Sequence, residues 1–515
     1  MRHPDQRFEP TRLPAPLPIW RGIVDREQWI GLAGEAAGRG DRLVSLWGVD
    51  RGGEAPGRAV NAAYATAAGL LWVELGLDDS APGYPDLAPS FACADRMQRA
   101  AADLSGVHPD SAADRRPWLD HGLWGTDHPL RHGGLEPTVS TGTLPHDYPF
   151  VRVEGDGVHE IAVGPVHAGI IEPGHFRFSV VGEKVLRLEE HLGYTHKGIE
   201  RRFVDLPALT AHRLAGRVSG DSTVAYCWAY CMALESACGV EVSERSQWMR
   251  ALMLERERVA NHLGDLGALG NDAALAFGLA QFSRLREDWQ RMTNETFGHR
   301  LMMDVIEPGG LAREVDPAAL DRLRRQCDTI EREVRTLRAI YDDHAGLQDR
   351  FMTTGRVEPE LAARLGLTGL AGRASAQRAD LRCDQPWEPY RQLAVQCSLR
   401  SQGDVAARVA VRFDEVFESL RLLRELCGGM PVGRCRQQLV RPAQGAHGAG
   451  WVEGWRGQIF VALELGAGGQ IVRCHCHDPS WQNWPVLEHA IIGNIVPDFP
   501  LINKSFNLSY SGHDL

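Results

Sequence analysis

The chain has no long hydrophobic run. No stretch of its 515 residues approaches the roughly 18–20 uninterrupted apolar residues that a membrane-spanning helix requires. The N-terminal residues, MRHPDQRFEP, lack the apolar core of a secretory signal. We therefore expect a cytoplasmic protein that reaches a membrane only through partner proteins.

Signatures of several common protein classes are also missing. Asp and Glu outnumber Lys and Arg, 67 to 56, and no long basic run is present, so nucleic acid is a poor candidate partner. The eleven cysteines include no C-x-x-C pair, which argues against a disulfide framework and indicates a reducing compartment. No P-loop and no G-x-G-x-x-G follows a predicted strand, so we expect no nucleotide or NADH binding by this chain.

The composition that is present suits a large globular protein of two domains. With 43% hydrophobic and 24% charged residues, the chain can bury one or two sizeable cores. Candidate strands at Arg42–Gly48 and around Leu70–Leu75, with a candidate helix at Ala94–Leu104, indicate a small α+β domain. We place this domain at residues 1–134.

A stretch rich in Gly, Pro, Thr and Ser follows over His132–His146. It has no apolar periodicity that would support a buried element, and it predicts a linker at residues 135–149. A docking arm for a partner protein is the alternative.

Residues 150–515 are expected to form a mainly helical domain with short strands packed at one end. Long helix patterns occur at five places: Thr223–Gly239, Ser243 to about Gly267, Asp272 to about His299, from Asp316 onward, and Asp404–Gly428. Ser243, Asp316 and Asp404 are predicted N-caps, and Pro317 suits the first helical position. Gly428 is predicted to be a left-handed helix terminator.

Several segments are too specific to be generic helices or turns. They are SQWMRALMLERERVANHLGDLGALGND (246–272), DVAARVAVRFDEVFESLRLL (404–423), DPSWQNWP (478–485) and RVSGDS (217–222). In these segments the chain resembles the large subunit of group 4 nickel-iron hydrogenases of the formate hydrogenlyase and hydrogenase-4 type, and its relative, the 49 kDa (D) subunit of complex I. PWLDHG (117–122) and HPLR (128–131) resemble the 30 kDa (C) subunit, fused ahead of the large subunit.

The resemblance implies an α+β protein in two parts, a complex I 30 kDa-like domain and a hydrogenase large-subunit or 49 kDa-like domain. It implies as partners an iron-sulfur small subunit, a ferredoxin-like subunit, and antiporter-like and other membrane-arm subunits. These partners would hold the chain at the inner face of the cell membrane. Iron-sulfur clusters are expected in the partners and no cofactor in this chain, with a quinone as a candidate ligand.

The resemblance also shows what has been replaced. The family holds nickel-iron through cysteines of an R-x-C-G-x-C frame and a C-terminal D-P-C-x-x-C frame. Here Ser219 and Ser222 stand at the first pair of positions, and Ser509 and Gly512 at the second. Because nickel-iron sites need soft thiolates rather than neutral hydroxyls, we expect no bound nickel-iron and a remodelled polar cavity lined by Asp221 and the serines.

Glu200 falls where the family places a carboxylate for proton transfer. Buried there, it would have a raised pKa and could relay protons, whereas the alternative is an ordinary glutamate on a helix surface. His175 and His196 resemble, in a shifted register, the histidine that complex I relatives place near the quinone headgroup. Structural roles for both histidines are the alternative.

Arg373 in GLAGRAS and Arg456 in WVEGWRGQI resemble family segments that bring arginine near the cavity. They are expected to supply positive charge opposite Glu200 or Asp221, which would lower the cost of burying a carboxylate. Arginines that bridge loop carbonyls are the alternative.

The quinone hypothesis lacks its usual side chain. The complex I branch has a quinone-binding tyrosine in the hexapeptide, at the position where this chain has Gly220. Tyr226 and Tyr510, which lie close in the sequence to the hexapeptide and within the C-terminal segment, are candidates to substitute for it.

Two further patterns have competing interpretations. Glu255, Arg258, His262 and Asp265 lie along one helix stripe, which either conducts protons or forms a solvated row of ion pairs. The RCHCHD segment (473–478) resembles a metal cluster, but in a strand its cysteines and histidines would alternate between faces, so we expect no metal there.

The preferred hypothesis is a subunit of a complex I-like or hydrogenase-4-like membrane oxidoreductase. Its metal-free cavity would receive a quinone or other acceptor, or would couple electron transfer to ion translocation. A non-catalytic scaffold that retains the fold is the alternative, and an active nickel-iron hydrogenase is the least favoured.

Overall fold

The computed structural model describes residues 8–52, 57–78, 80–132, 148–167, 171–439 and 445–515. The N-terminal part is a small α+β unit. Its elements are β1 (Thr11–Arg12), β2 (Ile19–Val24), α1 (Arg26–Arg39), β3 (Arg42–Asp50), β4 (Arg58–Thr66), β5 (Gly69–Leu77), β6 (Gly83–Pro85), α2 (Ala94–Ser105) and β7 (His108–Asp110).

Five of these strands form one sheet in the order β1-β2-β5-β4-β3, in which β2 and β5 run parallel and the other pairs antiparallel. Helix α2 packs on β3, and Trp29 of α1 packs against Tyr84 of β6. Trp47 and Trp72 are also buried, and they pack against His475 and His447 of the C-terminal part of the chain. The predicted strands and helix of this region are confirmed, and each element extends one or two residues beyond its predicted end. The predicted linker at 135–149 lies almost entirely outside the described residues.

The second part is mainly helical. Its strands are β8 (Val158–Val163), β9 (His175–Val181), β10 (Lys184–His191), β11 (Ile306–Glu307), β12 (Gly310–Leu311), β13 (His447–Glu453), β14 (Gln458–Leu465) and β15 (Ile471–His477). Its first eight helices are α3 (Ile199–Val204), α4 (His212–Ala215), α5 (Thr223–Cys238), α6 (Glu244–Asp272), α7 (Ala276–Phe297), α8 (Pro317–Asp343), α9 (Ala345–Phe351) and α10 (Pro359–Leu365). The remaining helices are α11 (Gly369–Ala374), α12 (Leu381–Asp384), α13 (Tyr390–Leu393), α14 (Val405–Gly428), α15 (Ser480–Ala490), α16 (Phe499–Phe506) and α17 (Tyr510–Asp514).

The predicted capping residues define the long helices. Ser243, Asp316 and Asp404 each accept a backbone N–H at the start of α6, α8 and α14. Three bounds differ from prediction. The predicted start of the third long helix at Asp272 is wrong, because Asp272 is the last residue of α6 and α7 begins at Ala276. Helix α6 continues past Gly267 to Asp272. Gly267 serves close packing against α7 and does not end the helix, because a Cβ at this position would lie 3.0 Å from the Cβ of Phe282. Gly428 is the last helical residue of α14 and not a left-handed terminator, and Gly429 after it has φ −98°.

Helix α5 is the central element that positions the hexapeptide. Fourteen of its sixteen residues are buried, and it packs against β13 and β14. Two glycines of β13 make the close approach feasible, because a Cβ at Gly448 or Gly450 would lie 1.9 Å from the carbonyl oxygen of Ala233 or Ala229. The start of α5 is therefore fixed against the β13–β14 hairpin.

Buried polar contacts join the two parts of the chain. The Ser45 hydroxyl lies 2.7 Å from Nε2 of His475, whose ring stacks on Trp47 at 4.6 Å. Arg51 pairs with Glu464, with Nη2 2.9 Å from Oε2. Within the described ranges, no helix is long and apolar enough to cross a membrane.

Candidate functional site

The hexapeptide forms a tight polar turn at the start of α5. Gly220–Ser222 makes one 3-10 turn, and Ser219 before it is extended. Asp221 lies at the centre of the turn, where its Oδ1 accepts hydrogen bonds from the hydroxyls of Ser219 at 2.6 Å and Ser222 at 3.3 Å. Both serine hydroxyls at the expected first pair of ligand positions are thus directed to a carboxylate.

Arg456, from the loop between β13 and β14, completes this arrangement. Its guanidinium contacts both carboxylate oxygens of Asp221, with Nη1 3.0 Å from Oδ1. Its Nε donates to the carbonyl of Asn507 at 2.5 Å, so one side chain bridges the hexapeptide and the C-terminal segment. Burial alone would raise the pKa of Asp221, but the Arg456 charge and the serine hydroxyls lower it to about 2. The expected pairing of Arg456 with Asp221 is present.

The C-terminal pair of positions closes on the same place. The hydroxyls of Ser509 and Ser219 lie 3.2 Å apart, and the Gly512 amide donates to Ser509 at 2.8 Å. The space in front of Gly512 is filled by Asp478, because a Cβ at 512 would lie 2.5 Å from Asp478 Oδ2. Asp478 is itself fixed, since it accepts from the Tyr226 hydroxyl at 2.8 Å and from a backbone amide.

A cavity of about 290 Å³ opens at this turn. Its polar lining includes Ser219, Asp221, Arg456, Ser509 and Lys504. Other lining residues are Ile171, Glu172, Gly220, Asn503, Asn507, Leu508, Tyr510 and Ser511. The two halves predicted to form one remodelled cavity therefore do lie together, and of the two candidate tyrosines Tyr510 lines the cavity.

Asp265 of α6 connects this cavity to the protein interior. Its Oδ1 accepts from Asn507 Nδ2 at 2.7 Å and lies 3.2 Å from Lys504 Nζ. Its Oδ2 accepts from Arg412 Nε of α14 at 3.0 Å. Asp265 thus joins two cavity-lining residues to the α6–α14 interface.

The α6 stripe is buried and not solvated. Glu255, Arg258 and His262 are 0% exposed, and Asp265 is 3% exposed. His262 Nε2 lies 2.8 Å from Glu415 Oε2, and Arg258 Nε lies 3.2 Å from Glu255. The interpretation of this stripe as a row of solvated ion pairs is wrong, because α14 and the β13 region cover it.

Arg373 belongs to this interior network rather than to the cavity. Its guanidinium lies 2.6 Å from Glu415 and 3.0 Å from Glu453, not opposite Glu200 or Asp221 as expected. The network continues through Arg382, which lies 2.7 Å from Asp380 and 3.1 Å from Glu255. Glu255 also accepts a hydrogen bond from the Tyr390 hydroxyl. Burial, with the nearby charge of Asp380, raises the pKa of Glu453 to about 7.

Glu200 lies in a third buried cluster, between the two parts of the chain. Its oxygens accept from Arg473 at 2.8 Å and lie 2.7 Å from Nδ1 of His475. Burial would raise the pKa of Glu200, but Arg473 and His475 lower it to about 2, so the expected raised pKa is wrong. Ser45, His475 and Glu200 are connected like a hydrolytic triad, yet the void beside them is only about 20 Å³ and admits no substrate.

The two candidate histidines lie away from the turn that holds Asp221. His175 begins β9, packs against Phe150 at 5.0 Å between ring centroids and lies 3.4 Å from Arg177 Nε. His196 Nδ1 lies 2.7 Å from the Asp514 carbonyl. Burial lowers the pKa of both rings, which keeps them neutral at pH 7. Neither is among the described residues that line the 290 Å³ cavity.

Sequence reasoning missed two groups beside the turn. Glu257 of α6 accepts the backbone amides of Val224 and Ala225 at 2.7 and 3.2 Å, and burial raises its pKa to about 8. Nothing in the LERERV string distinguishes this glutamate from Glu255. Asp478 could have been found, because it opens the DPSWQNWP segment that carries the resemblance.

Comparisons with known proteins agree with this arrangement. Residues 23–133 match the family model of the respiratory-chain NADH dehydrogenase 30 kDa subunit, and residues 269–447 match that of the 49 kDa subunit. The fused NADH-quinone oxidoreductase C/D protein of Bacteroides fragilis is 28% identical over 82% of this chain and 86% of its own length. A chain of an archaeal membrane-bound sulfane sulfur reductase shares the fold, with a TM-score of 0.66 and 24% identity over 70% of this chain and 99% of that one.

Two relatives from Escherichia coli strain K12 match most of the chain. Formate hydrogenlyase subunit 5 is 29% identical over 86% of this chain and 79% of its own length. Hydrogenase-4 component G is 30% identical over 85% and 77%. The chain therefore belongs to the hydrogenase large-subunit family of formate hydrogenlyase subunit 5 and hydrogenase-4 component G, and it carries complex I 30 kDa-like and 49 kDa-like domains in one polypeptide.

Proposed function

We propose that this chain is the large subunit of a membrane-associated complex I-like or hydrogenase-4-like oxidoreductase, whose cavity works without nickel-iron and binds a quinone or other electron acceptor. The names of its relatives, as subunits and components of larger assemblies, support the first half of this proposal. The observation that carries the second half is the Arg456–Asp221 ion pair, which lies in the turn between the four former ligand positions.

The donors in the turn do not fit a nickel-iron centre. Three of the four positions offer neutral hydroxyls and the fourth offers no side chain, whereas nickel and iron need thiolates there. The hydroxyls of Ser219 and Ser222 already donate to Asp221. The carboxylate of Asp478 occupies the space that a side chain at Gly512 would need.

The same groups suit a polar organic acceptor. Arg456 stays charged at any physiological pH, and it and the Lys504 ammonium, each paired with a carboxylate, place charged hydrogen-bond donors at the cavity wall. Negative charge that develops on an acceptor oxygen as electrons arrive is stabilised by such fixed donors. At about 290 Å³ the cavity is at the lower end of ligand-pocket sizes, so it takes a headgroup or a small acceptor rather than a bulky one.

The buried network favours a coupling role as a second function of the same chain. Asp265 touches the cavity residues Lys504 and Asn507 and the interior residue Arg412. Asp265 also interacts electrostatically with His262, which lies 2.8 Å from Glu415, so a change of charge in the cavity reaches the interior pair of Glu415 and Arg373 through these two groups. A chain of buried ion pairs of this kind is one physical route by which electron transfer is coupled to ion translocation.

As partners we propose an iron-sulfur small subunit and a ferredoxin-like subunit that deliver electrons, with antiporter-like and other membrane-arm subunits. Affinity purification of the tagged chain from membranes, followed by identification of the co-purified proteins, tests this assembly. We expect the iron-sulfur and membrane-arm partners to co-purify. Recovery of the chain alone would contradict the proposal and favour a free-standing scaffold.

Acceptor reduction by the purified assembly tests the cavity itself. Arg456→Met should abolish reduction of a water-soluble quinone while leaving the set of co-purified partners unchanged. Arg291→Met, at an arginine whose side chain is 71% exposed on α7, is the matched control and should retain activity. Equal activity of the Arg456 variant and the control would show that acceptors are not reduced at this cavity.

A further inference from the structure

Two cysteines meet at a second cavity, formed where α12 and the loop after α13 come together. Cys383 lies in α12, and Cys397 lies in the loop that leads to α14. Their sulfur atoms and a carboxylate oxygen of Asp380 all lie within 4.8 Å of one another. Both cysteines are half-buried and line an open cavity of about 590 Å³.

This pair differs from two other close cysteine pairs of the described residues. Cys227 with Cys231, and Cys474 with Cys476, lie in the core with at most 4% exposure, where no solute reaches them. Cys383 and Cys397 face a cavity that is open to solvent. They therefore combine two features that thiol chemistry needs, a neighbouring thiol and access.

A metal ion is a poor occupant of the cluster. Both oxygens of Asp380 are held by Arg382, with Nε 3.0 Å from Oδ1 and Nη2 2.7 Å from Oδ2. Arg373 lies 3.8 Å from the same carboxylate. A zinc ion would have to break these pairs beside two guanidinium groups, and two thiolates alone leave its tetrahedral coordination incomplete.

The two thiols are set up for different roles. The neighbouring Cys383 thiol lowers the pKa of Cys397, against the effect of burial, and the charge of Arg373 lowers it further. The neighbouring Cys397 thiol and burial raise the pKa of Cys383. Cys397 is thus the better nucleophile and attacks first. Cys383 is the protonated thiol that reacts in the second step.

The geometry points to a redox-active dithiol, in which Cys383 and Cys397 exchange with small disulfides that carry negative charge. The charged residues among the described lining of the cavity are all arginines, Arg378, Arg382 and Arg391. Arg378 and Arg391 are exposed at its edge. Such a rim attracts a disulfide bearing carboxylates and repels a cationic one. This inference is independent of the acceptor site at Asp221.

The exchange balances without a further reagent. The Cys397 thiolate attacks one sulfur of the disulfide, forming a mixed disulfide and releasing the first thiolate. Cys383 then loses its proton to solvent, and its thiolate attacks the Cys397 sulfur, which forms the Cys383–Cys397 bond and releases the second thiolate. The two protein thiols lose two electrons, and the small disulfide is reduced to two thiols that take up the two protons.

Reaction of the reduced protein with oxidised glutathione, followed by peptide mass mapping, tests the proposal. The wild type should yield a Cys383–Cys397 linked peptide. Cys383→Ser should instead trap a glutathione adduct at Cys397, and Cys397→Ser should leave Cys383 unmodified. Cys238→Ser is the control, at a half-buried cysteine of α5 whose pKa is raised by burial, and should not change the wild-type pattern.

Charge preference and metal binding give two further outcomes. Oxidised glutathione should react about tenfold faster than cystamine, a cationic disulfide, and Arg378→Glu should remove that preference. Cys397 modified no faster than Cys238, or no linked peptide in the wild type, would overturn the proposal. Stoichiometric binding of added Zn²⁺ that needs both cysteines would also overturn it, in favour of a metal site.

Discussion

At the scale of single residues, the cavity depends on one carboxylate and one guanidinium. Asp221 is about one-third exposed to the cavity, while Arg456 is 6% exposed and contacts both the hexapeptide and the C-terminal segment. An arginine in such a place cannot lose its charge, so Asp221 stays ionised and acts as an anchor for Arg456 rather than as a proton donor.

Removing the guanidinium should therefore destabilise the protein in a pH-dependent way. The folded pKa of Asp221, about 2, is below its unfolded value of about 3.9, so the pair contributes stability above about pH 4 and loses it as the pH falls toward 2. Arg456→Met should cost about 1–3 kcal/mol at pH 7, with a smaller deficit near pH 3. Urea unfolding at pH 7 and at pH 3 measures the two deficits in unfolding free energy, and a deficit that does not depend on pH would contradict the account.

Glu257 should give the opposite pH dependence. Its folded pKa of about 8 is above the unfolded value of about 4.3, so the proton that the folded state holds contributes stability that is lost as the pH rises from about 4 to 8. Glu257→Gln removes this titration. The variant also loses about 1 kcal/mol of stability, because the side-chain NH2 of glutamine would face a backbone N–H of α5 that Glu257 accepts. The variant's deficit in urea unfolding should therefore shrink between pH 5 and pH 8. A constant deficit would show that Glu257 does not titrate in this range.

At the scale of elements, sequence patterns predicted what local chemistry determines. Ser243 and Asp404 cap helices as predicted because a cap depends on its own side chain and the next turn. The end of α6 was missed because Gly267 serves contact with α7, which lies outside the local pattern. The pairing of Arg456 with Asp221 came from family resemblance. Glu200 could not be predicted correctly, since Arg473 reaches it only after the chain has folded.

Gly512 gives an element-scale test of the remodelled C-terminal segment. Gly512→Ala should cost about 1–3 kcal/mol, because the added methyl group lies 2.5 Å from Asp478 Oδ2 and that carboxylate is held in place. Gly220→Ala, in the facing turn, is the control, since no atom lies within 4 Å of its added methyl group. Thermal unfolding of both variants measures the difference. Equal effects would mean that Asp478 yields and that the segment can still accommodate a cysteine.

At the scale of the whole molecule, the two family-related parts are bound by buried polar groups rather than by apolar contact alone. Ser45 of the N-terminal sheet reaches His475 of β15, and His475 reaches Glu200. The three side chains are at most 7% exposed. Loss of one member leaves a buried polar atom without a partner, which costs more than an exposed hydrogen bond.

The two parts should therefore unfold together. The wild type is expected to show one thermal transition, and Ser45→Ala should lower its midpoint by an amount equivalent to about 1–3 kcal/mol without splitting it. Ser401→Ala, at an exposed serine, should leave the midpoint unchanged. Two separate transitions in wild-type calorimetry would show that the parts are energetically independent.

The central claim is that this hydrogenase-family cavity works without nickel-iron. Nickel content per chain, measured by mass spectrometry of the membrane complex that reduces an acceptor, tests this claim most directly. The account predicts an active complex with no nickel above the level of the buffer. One nickel per chain, bound in a form that chelators remove together with the activity, would contradict it.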